Sequence, residues 1–485
     1  MNPASSSLRH YCRSSIAFAG ACAILFAVLC LAVPNYFPLM EPDSSGYVSF
    51  SANRTAMYPL FLRALTGLGL SLQSVTYVQV AVFCGALVIL IVALDRANIR
   101  RFWLVLFVVL LGTNSYFASF QRTILTESIG FSAITAATAF LLDYLRTGRA
   151  IRLALAGIFV GLSIGIRPGC ITFLPMLVLA VWLKWHRRDV TAYALVAALI
   201  VPTALGMIAE RAMHRMEHGA RADSVLPYIL TGKAAMLVRS DTVFTGPASA
   251  TLNSLGQKLS RAYEPVHDYL SRLPSRVAVP VMTAFFEAAG QFQVINKDLA
   301  SIAVQSGVSE DYLREELGKQ AIRSNIGGYA TLTLTHYFGQ WSIAALTFPP
   351  TARAVNDFSS SLPKVPLIEE IGPTPFFPVA SLKSVVVYPG FLIAGAVTLV
   401  LSLFLLRYLW RPTTADVVWH NDLMIAAFFA LTCHSSMFLI SLINVSTPRF
   451  LMMVYPHILL AALFMLRALC PAWVAASPLR RPGPH

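Results

Sequence analysis

Charge is scarce in this sequence. Of its 485 residues, 12% are charged and 56% are hydrophobic. A soluble domain carries roughly 25% charged residues. The shortfall excludes an ordinary globular protein and points to a chain whose solvent is lipid. Cysteine is sparse as well. Cys12, Cys22, Cys30, Cys84, Cys170, Cys433 and Cys470 mostly fall in or beside apolar runs, and none lies in the long polar region. They show neither a disulfide framework nor metal-ligand spacing, and read as small buried apolar residues. Also missing are a P-loop, a glycine-rich dinucleotide turn and a defensible Ser-His-Asp arrangement. There is no internal repeat, low-complexity tract or long linker. Charges in the middle of apolar runs are nearly absent, since Asp95, Glu127 and Asp143 stand at run ends. Ion-coupled transporters place ionisable groups near mid-membrane and break helices there, so this argues against proton coupling.

What is present is a series of apolar runs. Residues 15–34 form the first; the run is long and no clear cleavage site follows, so it reads as an uncleaved helix. Residues 58–70 space Leu60, Phe61, Ala64, Leu65 and Leu68 as a stripe, with Pro59 in the first turn. That predicts a short amphipathic helix lying on the membrane. Further spans are expected at 73–95, 102–119, 127–145, 151–166, 170–185, 190–209, 383–406, 422–443 and 449–468. The expected fold class is an all-α polytopic membrane protein of about ten transmembrane helices, with outer juxtamembrane helices and a small exoplasmic helical domain. Three regions are expected: 1–209, an N-terminal transmembrane module; 210–382, an exoplasmic region; and 383–485, the C-terminal helices. A hydrophobic piece at 327–348 reads as re-entrant or interfacial.

The net charge of +14 is a topology signal. With the N-terminus inside, cytoplasmic connections hold Arg96, Arg100, Arg101, Arg146, Arg149, Arg152, Lys184, Arg187, Arg188, Arg407 and Arg411. Arg467, Arg480 and Arg481 sit at the inside C-terminal end. Outer connections hold few, as the positive-inside rule requires. Segment 210–326 is close to neutral, with 13 basic and 12 acidic residues. No nucleic-acid footprint is present.

The stretch 41–63, EPDSSGYVSFSANRTAMYPLFLR, follows the first span directly. It carries Glu41, Asp43, Arg54 and Arg63, with Tyr47, Phe50 and Tyr58 between them. Two readings are open: a solvated connector, or a polar site at the outer surface. The other outer connections repeat the pattern. Arg122 and Glu127 lie on the second, Arg167-Pro168 on the third, and Arg449 after Ser446-Thr447-Pro448 on the last. Arginine suits a phosphate because it stays charged and donates a planar fork of hydrogen bonds. Anchoring to lipid headgroups explains any one of these arginines equally well, but does not call for carboxylates beside them. Glu127 reads either as an acid favoured at a helix start or as a sugar contact or metal ligand. His336, in Thr-His-Tyr-Phe-Gly-Gln-Trp, reads as an interfacial residue or as part of the sugar or acceptor site.

An Asp in the first outer loop, a following Arg-x-x-x-Tyr-Pro-Leu helix, a Thr-Glu entering a later span and Gly-Leu-Ser-Ile-Gly-Ile-Arg-Pro resemble bacterial glycosyltransferases of the GT-C fold class. The likeness is greatest to the polyprenyl-phosphate-sugar-dependent group with aminoarabinose, protein mannosyl and rhizobial galacturonosyl transferases. It covers residues 15–185 and recurs near Pro448-Arg449. Several members have adjacent acids in the first loop, whereas here Pro42 separates Glu41 from Asp43.

The resemblance implies an enzyme of the inner (plasma) membrane. It would move a sugar from a polyprenyl-phosphate donor to a glycan, lipid or protein acceptor on the periplasmic face. Such a step needs a base near the incoming hydroxyl, and Asp43 is the candidate. Arg54, Arg122, Arg167 and Arg449 are candidates for the donor phosphate, with Arg167 and Arg449 favoured by motif. Glu127, Tyr47, Tyr58 and His336 are candidates for sugar or acceptor contact. No cofactor is required; two carboxylates and waters could hold Mg²⁺ or another divalent cation. The alternatives are a secondary transporter or lipid flippase and a structural membrane protein.

Overall fold

The computed structural model describes residues 3–33, 35, 38–41, 43–185, 192–219, 226–273, 279–342, 382–410, 420–445 and 447–471. Pro42, Arg187, Arg188, Arg411, Ser446, Arg480, Arg481 and residues 343–348 of the interfacial piece lie outside these. Every regular element described is helical. Five helices are long and apolar enough to cross a membrane: Ser14–Ala32, Leu72–Arg96, Thr126–Thr147, Asp422–Ile443 and Arg449–Leu469. A bent pair brings the number to six, and three shorter apolar helices cover Ala150–Ile166, Pro168–Leu183 and Ile393–Arg407. This is the signature of an integral membrane protein. Helices occupy all ten stretches expected to span, but length and composition qualify only five or six of them as crossings.

The chain forms two compact units. The first comprises residues 1–221, 398–436 and 452–485. Its helices are α1 (Pro3–Ala32), α2 (Ser44–Val48), α3 (Met57–Gly67), α4 (Leu72–Arg96), α5 (Arg101–Thr113), α6 (Ser115–Gln121), α7 (Thr126–Thr147), α8 (Ala150–Ile166), α9 (Leu174–Trp185) and α10 (Ala192–His218). α3 is the expected amphipathic helix, burying Tyr58, Pro59 and Leu62. In order of packing, α1 lies on α4, α4 on α7, α7 on α8 and α8 on α10. The α8–α10 crossing is backbone-close. A Cβ on Gly206 would stand 2.6 Å from the Gly161 carbonyl carbon, and one on Gly161 would stand 2.8 Å from the Pro202 oxygen. Small residues permit such an approach inside a bilayer, where packing rather than the hydrophobic effect joins helices.

The span expected over 102–119 is instead broken. α5 and α6 meet at 74°. Asn114 takes an extended conformation between them and its side chain accepts from the Phe117 amide, so it starts a new helix in mid-run. The helix expected over 190–209 runs on to His218.

The second unit comprises residues 222–397 and 437–451. It contains α11 (Leu226–Ala235), α12 (Ser249–Arg272), α13 (Val279–Ala289), α14 (Asn296–Ser306), α15 (Glu310–Ser324) and α16 (Ile326–Ser342). Its apolar core includes Leu252, Leu259, Tyr263, Phe286, Leu313 and Leu317. The three C-terminal helices, α17 (Leu382–Trp410), α18 (His420–Ile443) and α19 (Pro448–Leu469), contribute residues to both units.

Candidate functional site

The first unit gathers most of the residues singled out in the sequence. α2 begins at Ser44, with Asp43 in the capping position but making no side-chain cap bond. The carboxylate is turned elsewhere: Asp43 Oδ1 accepts from Arg54 Nη2 at 2.8 Å. The two side chains are 35% and 24% exposed, so the pair stands at the surface. The Arg54 guanidinium also lies 4.8 Å from the centre of the Tyr47 ring. Gly46 permits this fold-back. A Cβ there would stand 2.8 Å from Arg54 Nε and 3.0 Å from Ser51 Oγ. Burial acts to lower the Arg54 pKa, but Tyr47 and Asp43 outweigh it and the net shift is upward.

Tyr47 links this pair to a deeper one. Its ring meets Tyr58 edge to face at 5.3 Å, and its phenol lies in the field of Glu127 and Arg167. Burial pushes the phenol up and Glu127 pushes the same way, while Arg54 and Arg167 pull it down. Behind it Arg167 Nη1 stands 2.5 Å from Glu127 Oε1, the side chains 8% and 1% exposed. Local sequence sets both partners. Glu127 falls in the first turn of α7, where an acid is favoured. Pro168 pushes Arg167 to an extended backbone, φ −138° and ψ 102°, which ends α8 and turns its side chain off the helix. Arg167 Nη1 also donates to Thr126 Oγ1 at 3.4 Å.

Main-chain and side-chain bonds sew these segments together. Ile124 N donates to Leu39 O at 2.9 Å. Thr55 Oγ1 donates to Ile166 O, the last carbonyl of α8, also at 2.9 Å. Tyr58 Oη donates to Gln79 Oε1 at 2.6 Å, and the Gln79 amide reaches the carbonyls of Gln121 and Thr123. Burial raises the Tyr58 pKa well above its ordinary value.

Of the other predicted residues, Arg122 is engaged elsewhere in the first unit, and His336 and Arg449 belong to the second. Arg122 spends its fork on the carbonyls of Leu31 and Val33, at 3.2 and 2.6 Å, and so closes the C-terminal end of α1. His336 belongs to the second unit. It is fully buried, with Nε2 2.7 Å from Glu287 Oε2. Arg449 also belongs to the second unit, in the first turn of α19.

Lys233 and Glu287 are functional-type residues that the sequence reading passed over. The buried Lys233 ammonium donates to the carbonyls of Ser441 and Asn444. Burial pulls its pKa down to about 8 against the opposing field of Glu287. The available signal was a single charge in each of two apolar stretches, Leu226–Val238 and Val279–Ala289.

Among the described residues, no group of three or more His, Cys, Asp or Glu side chains is placed to hold a metal. In the first unit, Asp43 and Glu127 are each engaged by an arginine. Among the described residues there, these two carboxylates are not assembled as a divalent-cation donor set. Searched against family models, curated proteins and solved structures, the chain matches none.

Proposed function

We propose that this protein is a membrane glycosyltransferase with about ten transmembrane helices. It moves a sugar from a polyprenyl-phosphate donor to an acceptor at the periplasmic face of the inner membrane. The observation that carries the reading is the Asp43–Arg54 pair. It is a partly exposed carboxylate and guanidinium 2.8 Å apart, directly after the first span and backed by Tyr47, Thr126, Glu127 and Arg167. The motif resemblance around it supplies the reaction class.

The strength of each pair assigns its role. The half-buried Asp43–Arg54 pair stands nearer to exposed ion pairs, worth about 0–1 kcal/mol, than the fully buried Arg167–Glu127 pair does. Arg54 can therefore exchange Asp43 for a phosphate oxygen at little cost, which leaves Asp43 ionised and able to accept a proton. Breaking a buried pair by removing one partner costs about 3–5 kcal/mol. Arg167 therefore stays on Glu127, and the two hold Thr126 and Tyr47 in place behind the reacting groups. In this reading the acceptor hydroxyl gives its proton to Asp43 as its oxygen attacks the anomeric carbon. The bond from that carbon to the phosphate oxygen breaks, and the polyprenyl phosphate leaves with its charge met by Arg54. A fixed cation aimed at a growing negative charge stabilises the transition state more than the ground state.

The test is turnover of a polyprenyl-phosphate sugar by purified protein in detergent, scored as release of polyprenyl phosphate with transfer to an added acceptor. Donor-dependent release supports the reading. No release from any of a panel of hexose and pentose donors, with protein that remains folded, removes it.

A further inference from the structure

One face of α10 is spent on the loop that carries Arg54 and on α3, which follows it. Glu210, His214, Glu217 and His218 recur at helical spacing, so they share that face. Glu210 Oε1 accepts from Ala56 N at 3.4 Å. His214 Nε2 lies 3.0 Å from Ala52 O and donates to it, because a carbonyl only accepts. Glu217 Oε1 pairs with Arg63 Nη1 at 2.6 Å. His218 meets the Phe50 ring edge to face at 4.7 Å. Phe50 itself has φ 51°, a left-handed conformation costly for a bulky residue, and persists only where its surroundings hold it. Residues 52 and 56, the two main-chain anchors, bracket Arg54.

A connector would not need this. A surface loop between helices meets its backbone groups with water. Here a histidine and a glutamate, 1% and 7% exposed, are buried to meet them instead. Burying such groups is unfavourable unless each finds a partner. Their partners include loop backbone atoms on either side of one arginine. We infer that His214 and Glu210 are positioning residues, which fix the backbone around Arg54 so that its guanidinium is aimed before the donor arrives. The inference rests on the transferase reading for what Arg54 is aimed at. The Gly161–Gly206 crossing holds α10 itself against α8, whose end carries Arg167.

The test uses full-length protein in a cysteine-free background with a spin label on Asn53→Cys. His214→Leu cannot donate to Ala52, whereas His214→Gln has an amide that can. His214→Leu is expected to mobilise the label and lower kcat/KM for a polyprenyl-phosphate sugar on the order of 10²-fold, as a displacement near 1 Å does at a reacting centre. His214→Gln is expected to restore both. Glu210→Leu and Glu210→Gln are expected to repeat the contrast. A label that stays immobile in His214→Leu overturns the inference. So does a mobile label with unchanged kcat/KM. If wild-type protein transfers no sugar, the transferase reading fails. Mobility then decides the anchoring of the loop alone: a freed label in the Leu variants keeps it, and an immobile one discards it.

Discussion

Replacing Arg167 with Met separates two roles that one arginine could play. Met keeps an unbranched apolar stem but removes the charge and every donor. Glu127, 1% exposed, would then be left as a buried carboxylate without its guanidinium. Removing one partner of a buried pair costs about 3–5 kcal/mol. At roughly 2–4 °C per kcal/mol, the midpoint of thermal unfolding should fall on the order of 10 °C. Arg167→Lys keeps the charge but cannot fill the fork and should lose less. The double variant Arg167→Met, Glu127→Gln removes both charges and should recover most of the loss, because the cost belongs to the orphaned carboxylate. The assay is fluorescence-monitored melting in detergent, with transfer measured on the same samples. A midpoint within a degree or two of wild type for Arg167→Met would mean the buried pair does not form. A Lys variant with wild-type stability and no transfer would return Arg167 to the donor phosphate.

Three further outcomes follow from the geometry. Gly46→Ala places a Cβ 2.8 Å from Arg54 Nε, so it should push Arg54 off Asp43 and reduce transfer about tenfold or more while the melting midpoint barely moves. The Lys233 pKa falls from 10.5 to about 8 on folding. Between those values the unfolded chain holds the extra proton, so this residue makes stability rise with pH by about 3 kcal/mol at most; melts from pH 7 to 10.5 should show a gain in wild type that Lys233→Met lacks. Gln257→Cys in a cysteine-free background should react with a membrane-impermeant maleimide from the periplasmic side, and reaction only from the cytoplasm would invert the proposed topology.

The helices were legible because an apolar run of the right length has few alternatives in lipid. The amphipathic stripe of α3 was legible for the same reason. The break at Asn114 was not, although its signal was present: Gly-Thr-Asn-Ser interrupts the run at 112–115. The residues on either side are so apolar that the run reads as continuous, and the one side chain that starts a new helix is lost among them. The pairing of Asp43 with Arg54 spans 11 residues and keeps both within the stretch first singled out. Arg122 was legible as an arginine between two apolar runs but not as the cap of α1, because its partners lie 91 and 89 residues away. His336 was visible as a histidine among aromatics. Its partner Glu287 is 49 residues distant, and only folding brings the two within 2.7 Å. The polar face of α10 shows the same limit. Glu210, His214, Glu217 and His218 share one helical face in the sequence, but nothing there says what covers it.

The central claim is that Asp43 accepts the proton of the acceptor as the sugar is transferred. Asp43→Asn retains the size and can still receive a bond from Arg54, but it cannot take the proton. General-base assistance is worth about 10²–10⁴-fold in rate. Purified Asp43→Asn, folded and still binding a polyprenyl-phosphate sugar, should therefore lose transfer by that factor, while Glu41→Gln stays within a few-fold of wild type. Turnover of Asp43→Asn within a few-fold of wild type, with Glu41→Gln inactive, would contradict the assignment of the base. Full turnover by both would contradict the transferase itself.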